Sequence, residues 1–192
     1  MRGNSAGESA GGQRPAVFLD RDGTLIEDRG HLGDAGDVVF FPDTVAALRR
    51  LRERFALFIV TNQPGVAEGT IAADDVRRVN DHVVARLAEG GVAIARVYVC
   101  PHRRTDGCAC IKPNPHFLCR AAEEFGLDLR RSFVIGDHPH DVELARNAGA
   151  TGIYVLTGHG RKHLPDLAGD APIVPGIAEA VERVLTRVGV AN

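Results

Sequence analysis

Asp20 and Asp22 flank one arginine directly after the apolar run Ala16-Val17-Phe18-Leu19. Asp137 and Asp141 bracket a turn after a second run, Ser132-Phe133-Val134-Ile135-Gly136. Thr61-Asn62 closes a third run, Ala56 to Val60, and Lys112 follows a cysteine-rich stretch. Carboxylates gathered in one place repel each other unless a cation neutralises them. Hard oxygen donors, few in number and leaving room for water and a phosphate, suit Mg²⁺. Cys100, Cys108 and Cys110 lie close together, while Cys119 stands apart. The segment Met1 to Arg14 lacks the apolar core of a secretory signal, so the chain reads as cytoplasmic. In that compartment a tight cysteine cluster reads as metal binding before disulfide. Cys119, among Phe117, Leu118, Ala121 and Ala122, is expected to be an ordinary buried thiol.

These side chains converge only if the intervening elements bring them together. Strands are expected at 16–20, 56–60, 94–99, 132–136 and 152–156. Helices are expected at 43–55, 73–89, 116–125, 141–148 and 176–188. In the 73–89 helix Val76, Val79, Val83, Val84 and Leu87 recur at helical spacing, and Gly90-Gly91 stops it. Strand and helix alternate, and the strands are continuous apolar runs. That pattern specifies an α/β fold, a parallel sheet covered by helices on both faces. In such a sheet ligands bind at the carboxyl ends of the strands, near a topological switch point. Asp20, Thr61 and Asp137 all fall at such ends. Residues 1–14, rich in Gly, Ser and Ala, read as a disordered tail, and 15–192 as one domain.

Composition narrows the partners. The formal net charge is −2, from 23 Lys plus Arg against 25 Asp plus Glu, and the chain has no Trp. That balance gives no electrostatic case for nucleic acid or a membrane surface. No apolar run approaches the roughly 20 residues of a membrane span.

The ordered set Asp20-Arg21-Asp22-Gly23-Thr24, Thr61-Asn62, Lys112-Pro113 and Gly136-Asp137 with Asp141 resembles the four motifs of the haloacid dehalogenase-like (HAD) phosphatases. Cys100-Pro101-His102 and Cys108-Ala109-Cys110, placed directly before Ile111-Lys112, resemble the zinc-binding subgroup of that family. The subgroup includes heptose-bisphosphate phosphatases and histidinol-phosphatases. The resemblance implies a Rossmann-like HAD fold and a Mg²⁺-dependent phosphomonoesterase that acts through an aspartyl-phosphate. It implies Asp20 as nucleophile and Asp22 as general acid and base. Asp20, the backbone carbonyl of Asp22, and Asp137 would hold Mg²⁺. Thr24 (through the turn backbone), Thr61, Asn62 and Lys112 would bind the phosphoryl group, and Asp141 would orient Lys112 or water. Cys100, His102, Cys108 and Cys110 would form a closed tetrahedral Zn²⁺ site of structural type.

The gaps between motifs are too short for an independent core, so a capless site is expected. The substrate implied is a small phosphorylated sugar, heptose 1,7-bisphosphate first and histidinol phosphate next, handled by a monomer. A nucleic-acid 3′-phosphatase is the alternative of another class. The chain differs from the heptose-bisphosphatase pattern at Glu68, Ile111 and His138, where the pattern carries Arg, Arg and Lys. His31, His159 and His163 read as solvated loop residues.

Overall fold

The computed structural model describes residues 13–189. The expected tail lies outside them up to residue 12. Arg14, assigned to that tail from sequence, instead belongs to the fold. Its backbone bonds with Gly126 and Asp128, and its guanidinium donates to the carbonyls of Arg52 and Phe55.

One six-stranded sheet runs in the order β3-β2-β1-β4-β5-β6, with every pairing parallel. The strands are β1 (Ala16–Leu19), β2 (Ala56–Asn62), β3 (Arg96–Cys100), β4 (Phe133–Gly136), β5 (Thr151–Val155) and β6 (Ile173–Val174). The helices are α1 (Thr44–Arg49), α2 (Gly65–Glu68), α3 (Ala73–Glu89), α4 (His116–Phe125), α5 (Pro139–Asn147), α6 (Gly160–His163) and α7 (Ile177–Arg187). The expected α3 and α4 hold to the residue. The short α2, α6 and β6 have no counterpart in the sequence reading, because a single turn or a two-residue strand carries no periodicity.

Alternation along β1 divides the core in two. Val17 and Leu19 join Leu48, Val79, Val83, Val181 and Val184 on one face of the sheet. Ala16 and Phe18 join Phe58, Phe117, Leu118, Ala121 and Leu144 on the other. Successive strand side chains point to opposite faces, so a strand buried on both must be apolar throughout. In α3 the stripe Val76, Val79, Val83 and Leu87 is buried as its spacing predicts, but Val84 is only half-buried. Cys119 overturns its expectation, for it is exposed. Phe117, Leu118 and Ala121 form the buried stripe of α4, and Cys119 lies about 100° per residue off it.

Chain order reverses between β1 and β4, so the loops after these two strands diverge and leave a crevice. The amide of Asp20 donates to the carbonyl of Ile135 at 2.9 Å, which fixes the end of β1 beside the end of β4. The links from β1 to β2 and from β2 to β3 hold only short turns, α1, α2 and α3. Among the described residues no separate unit caps the crevice, and no helix is long and apolar enough to cross a membrane.

Candidate active site

A cavity of about 290 Å³ opens at the carboxyl ends of the central strands. Asp20, Asp22, Thr61, Asn62, Lys112 and Asp137 all line it. Asp20 follows β1, Thr61 and Asn62 end β2, and Asp137 follows β4, so the strand register alone delivers four of them. Lys112 arrives through the cysteine loop. Its Nζ donates to Asp20 Oδ1 at 2.6 Å and to Asp141 Oδ1 at 2.7 Å, and all three side chains are buried.

Asp141 has two tasks. From the first turn of α5 its Oδ2 also accepts the backbone N–H of His138 at 3.1 Å, capping the helix. One carboxylate therefore both closes the first turn of α5 and bonds the Lys112 ammonium.

Burial shapes the charges. It lowers the Lys112 affinity for its proton, but the Asp141 and Asp20 charges more than offset this and hold the ammonium firmly charged. Burial pushes the Asp20 carboxyl up to about 6 against the pull of Lys112. Burial, then the Asp20 and Asp141 charges, pushes the Asp137 carboxyl up to about 8. Oxygens of Asp20, Asp137 and Asp141 all lie within 4.8 Å of one another. One ammonium does not balance three carboxylates, so the site has a place for a further cation.

Two glycines shape the space around Asp137. A Cβ on Gly23, whose φ is +79°, would lie 2.1 Å from Asp137 Oδ2, and one on Gly158 would lie 2.3 Å from the same atom. The backbone N–H of His159 donates to that oxygen at 2.7 Å. The loop after β5 thus reaches the site through its backbone.

Asp22 is gripped from both sides. Arg21, fully buried, donates from Nε to Oδ2 at 3.0 Å and from Nη2 to Oδ1 at 3.1 Å. Gln63 Nε2 donates to Asp22 Oδ2 and to Thr61 Oγ1, both at 2.8 Å. Burial raises the Asp22 carboxyl above its ordinary value, with Arg21 opposing. Arg21 and Gln63 were not singled out in the sequence. Gln63 lies two residues past Thr61, hence on the same side of the strand end, and that spacing was the available signal. Asn62 Oδ1 accepts the backbone N–H of Lys112 at 3.3 Å, tying the cysteine loop to β2.

Thr24 is not brought to the cavity. It is fully buried, and the N–H groups of its turn bond internally, Gly23 to Ile26 at 2.8 Å and Leu25 to Arg21 at 2.9 Å. The left-handed Gly23 folds the chain back on itself and carries Thr24 beneath the loop. His31 and His159 are exposed, as expected, and also border the cavity, while Ile111 is buried in the apolar cluster with Phe117 and Leu118.

The second cluster lies where β3 ends. Cys100 pairs in register with Asn62, and the loop then folds through a 3₁₀ turn, Arg104–Asp106. Cys110 Sγ lies 3.2 Å from Cys100 Sγ, 3.7 Å from Cys108 Sγ and 3.4 Å from His102 Nδ1. Cys100 Sγ lies 3.6 Å from Cys108 Sγ and 3.7 Å from His102 Nδ1. A tetrahedral ion with bonds near 2.3 Å to sulfur requires donor separations of about 3.8 Å, so the four atoms are close to the arrangement such an ion needs. No disulfide joins them.

The HAD-hydrolase-like family model matches residues 109–180. The chain is 36% identical over 154 residues to the D-glycero-β-D-manno-heptose-1,7-bisphosphate 7-phosphatase of Yersinia pestis, over 75% of this chain and 81% of that protein. It is 35% identical over 189 residues to the D-glycero-D-manno-heptose-1,7-bisphosphate 7-phosphatase of Thermosynechococcus vestitus, over 90% of this chain and 96% of that one. A crystal structure of D,D-heptose 1,7-bisphosphate phosphatase from B. bronchiseptica, complexed with magnesium and phosphate, aligns with a TM-score of 0.83 at 29% identity. That alignment covers 90% of this chain and 99% of the other.

Proposed function

The chain belongs to the HAD-like phosphatases, on the branch of the heptose-1,7-bisphosphate 7-phosphatases, and from that premise we propose its substrate and the work of its residues. It is a phosphoric monoester hydrolase. Its substrate is D-glycero-D-manno-heptose 1,7-bisphosphate, from which it releases the 7-phosphate. The observation that carries this reading is the Lys112 ammonium bonded to Asp20 and Asp141, with Asp137 against them.

Asp20 gives Oδ1 to Lys112 and keeps Oδ2 for attack on phosphorus. As the new O–P bond forms, the ester O–P bond breaks and Asp22 protonates the departing oxygen. Asp22 then takes a proton from water, whose oxygen attacks the aspartyl-phosphate. The Asp20 O–P bond breaks and inorganic phosphate leaves. Burial favours the protonated form of Asp22, which suits the first of its two tasks. Arg21 and Gln63 keep that carboxyl from swinging away. Thr61 and Lys112 hold the phosphoryl oxygens, and Asn62 keeps the lysine loop against β2.

Asp20, Asp137 and the backbone carbonyl of Asp22 would hold Mg²⁺. The fit is supported by the excess of carboxylate over ammonium and by the space that Gly23 and Gly158 leave against Asp137. When bound, the ion offsets the negative charge of phosphate and carboxylates. Cys100, His102, Cys108 and Cys110 would hold Zn²⁺, and their separations suit it. With no corner left open, that site braces the loop that carries Lys112. Unbridged thiols suit a reducing, cytoplasmic location.

Phosphate release measured over heptose 1,7-bisphosphate, other sugar phosphates, histidinol phosphate and a 3′-phosphorylated oligonucleotide tests the reading. Mg²⁺-dependent turnover is expected, highest on the heptose. Asp20→Asn is expected to abolish it in a protein that still folds. Near-normal turnover in that variant would remove Asp20 as nucleophile, and preference for histidinol phosphate or the oligonucleotide would overturn the substrate.

A further inference from the structure

Tyr154 is out of place in its strand. The buried stretch of β5 is Ile153-Tyr154-Val155, where an apolar side chain would serve at every position. Tyr154 is fully buried, yet it belongs to neither apolar cluster and does not line the cavity. Its hydroxyl donates to the carbonyl of Gly160 at 2.9 Å, a buried bond. Burial, then the Asp137, Asp141 and Asp166 charges, pushes the phenol up to about 12, so it remains a donor throughout the neutral range.

That bond leads to the site by a short path. Tyr154 pairs in register with Gly136, the residue before Asp137. The N–H of Gly160 donates to the carbonyl of Thr157 at 2.8 Å and closes a turn. Within that turn the backbone N–H of His159 donates to Asp137 Oδ2 at 2.7 Å. The turn is pressed on both sides by backbone. A Cβ on Gly158 would overlap the Gly23 Cα, and one on Gly160 would overlap the Val155 carbonyl oxygen. Its own side chains hold it weakly. Thr157 Oγ1 is buried with no partner, and the exposed His159 ring lies 3.4 Å from Asp28 Oδ2, a contact open to solvent. The buried side-chain anchor of the turn is the Tyr154 hydroxyl.

Resting on the phosphatase reading above, with Asp137 as a Mg²⁺ ligand, we propose that Tyr154 is a positioning residue for that ligand. The hydroxyl holds the Gly160 carbonyl, the turn holds the His159 N–H, and this N–H fixes the direction in which the Asp137 carboxylate faces. A group that orients a ligating carboxylate from outside tunes metal affinity without touching the ion. Tyr154→Phe removes one oxygen, leaves the ring in place and frees the turn from β5.

The test is Mg²⁺ binding to the substrate-free protein by titration calorimetry, with Tyr98→Phe as the matched control. Tyr98 is the other tyrosine of the chain, and its hydroxyl donates to Glu124 Oε2 at 3.0 Å, on α4. Tyr154→Phe is expected to raise the Mg²⁺ dissociation constant about fivefold, the scale of one lost hydrogen bond. Its His159 amide is expected to exchange with deuterium faster than in wild type. Tyr98→Phe is expected to change neither quantity. In wild type, Mg²⁺ is expected to slow exchange of the His159 amide, because the coupling is reciprocal. This last measurement needs no variant, and exchange indifferent to bound Mg²⁺ overturns the link. A purely structural Tyr154 would lower the unfolding temperature in both variants and leave the Mg²⁺ affinity of each at the wild-type value, which overturns the inference. Equal loss of affinity in both variants overturns it too, since general loosening would then suffice. A wild type that binds no Mg²⁺ overturns the metal reading and this inference with it. Absence of turnover on every sugar phosphate, with Mg²⁺ binding as expected, overturns the substrate and leaves the role of Tyr154 standing.

Discussion

Arg21 Nη1 donates to Asn80 Oδ1 at 2.7 Å, a bond that joins the middle of α3 to the residue between the two aspartates that follow β1. Both side chains are buried. The guanidinium uses its remaining edge on Asp22, so a polar residue on the inner stripe of a helix is linked in two steps to the proposed acid.

Asn80→Ala leaves a buried charged donor without its acceptor. The expected cost is about 1–3 kcal/mol of stability, read as a lower urea midpoint. If Arg21 then relaxes, Asp22 loses its clamp, and kcat is expected to fall by about tenfold with little change in KM. A variant with normal stability and normal kcat would show that the Arg21 grip on Asp22 does not depend on α3.

Gly23→Ala is expected to be close to inactive. The added methyl carbon would overlap Asp137 Oδ2, and the backbone there has a φ of +79° that an L side chain resists. Asp137 must move or the turn must open, and either displaces a proposed cation ligand. The measurable consequence is a rise in the Mg²⁺ concentration needed for half-maximal turnover, with helix content by circular dichroism unchanged. An unaltered Mg²⁺ requirement would mean that Asp137 is not a ligand.

Most of this architecture was legible in the sequence, for physical reasons that also mark the exceptions. The run Val17-Phe18-Leu19 is apolar on both faces because it is the central strand of a covered sheet, and Asp20 after it could only be at the mouth. The stripe of α3 was readable from spacing alone. What escaped were contacts made by backbone, such as the His159 N–H on Asp137, since a backbone amide has no identity in a sequence. Thr24 was misplaced for a related reason: the motif names its type, but the direction of the chain after Gly23 decides where it goes. Cys119 was misread from its apolar neighbours, where the phase of Phe117, Leu118 and Ala121 already pointed it outward.

Lys112→Met removes the cation between two buried carboxylates. Losing one member of a buried ion pair typically costs about 3–5 kcal/mol, because the remaining charge is left uncompensated. The loss is expected in Mg²⁺-free buffer as a lowered urea midpoint, partly restored by millimolar Mg²⁺, which only the folded carboxylate cluster binds well. Turnover is expected to vanish in both conditions. Equal destabilisation with and without Mg²⁺ would argue that the cluster does not bind the ion.

The two classes of cysteine make opposite predictions. Cys108 lies among three other donors at the distances above, while Cys119 is exposed on α4 with no part in the cluster. About one zinc per chain is expected by elemental analysis. Cys108→Ser is expected to lose most of it, and Cys119→Ser none. Because a structural zinc site can contribute about 10 kcal/mol or more of binding free energy to folding, the Cys108 variant is also expected to unfold at lower temperature. Its turnover is expected to fall, since Lys112 hangs from the same loop. A thiol reagent supplies the complementary check. It is expected to modify Cys119 in the native protein without releasing metal, and to reach the other three thiols only after a chelator has removed the ion. Zinc loss that is equal in the two serine variants would sink the assignment of the cluster.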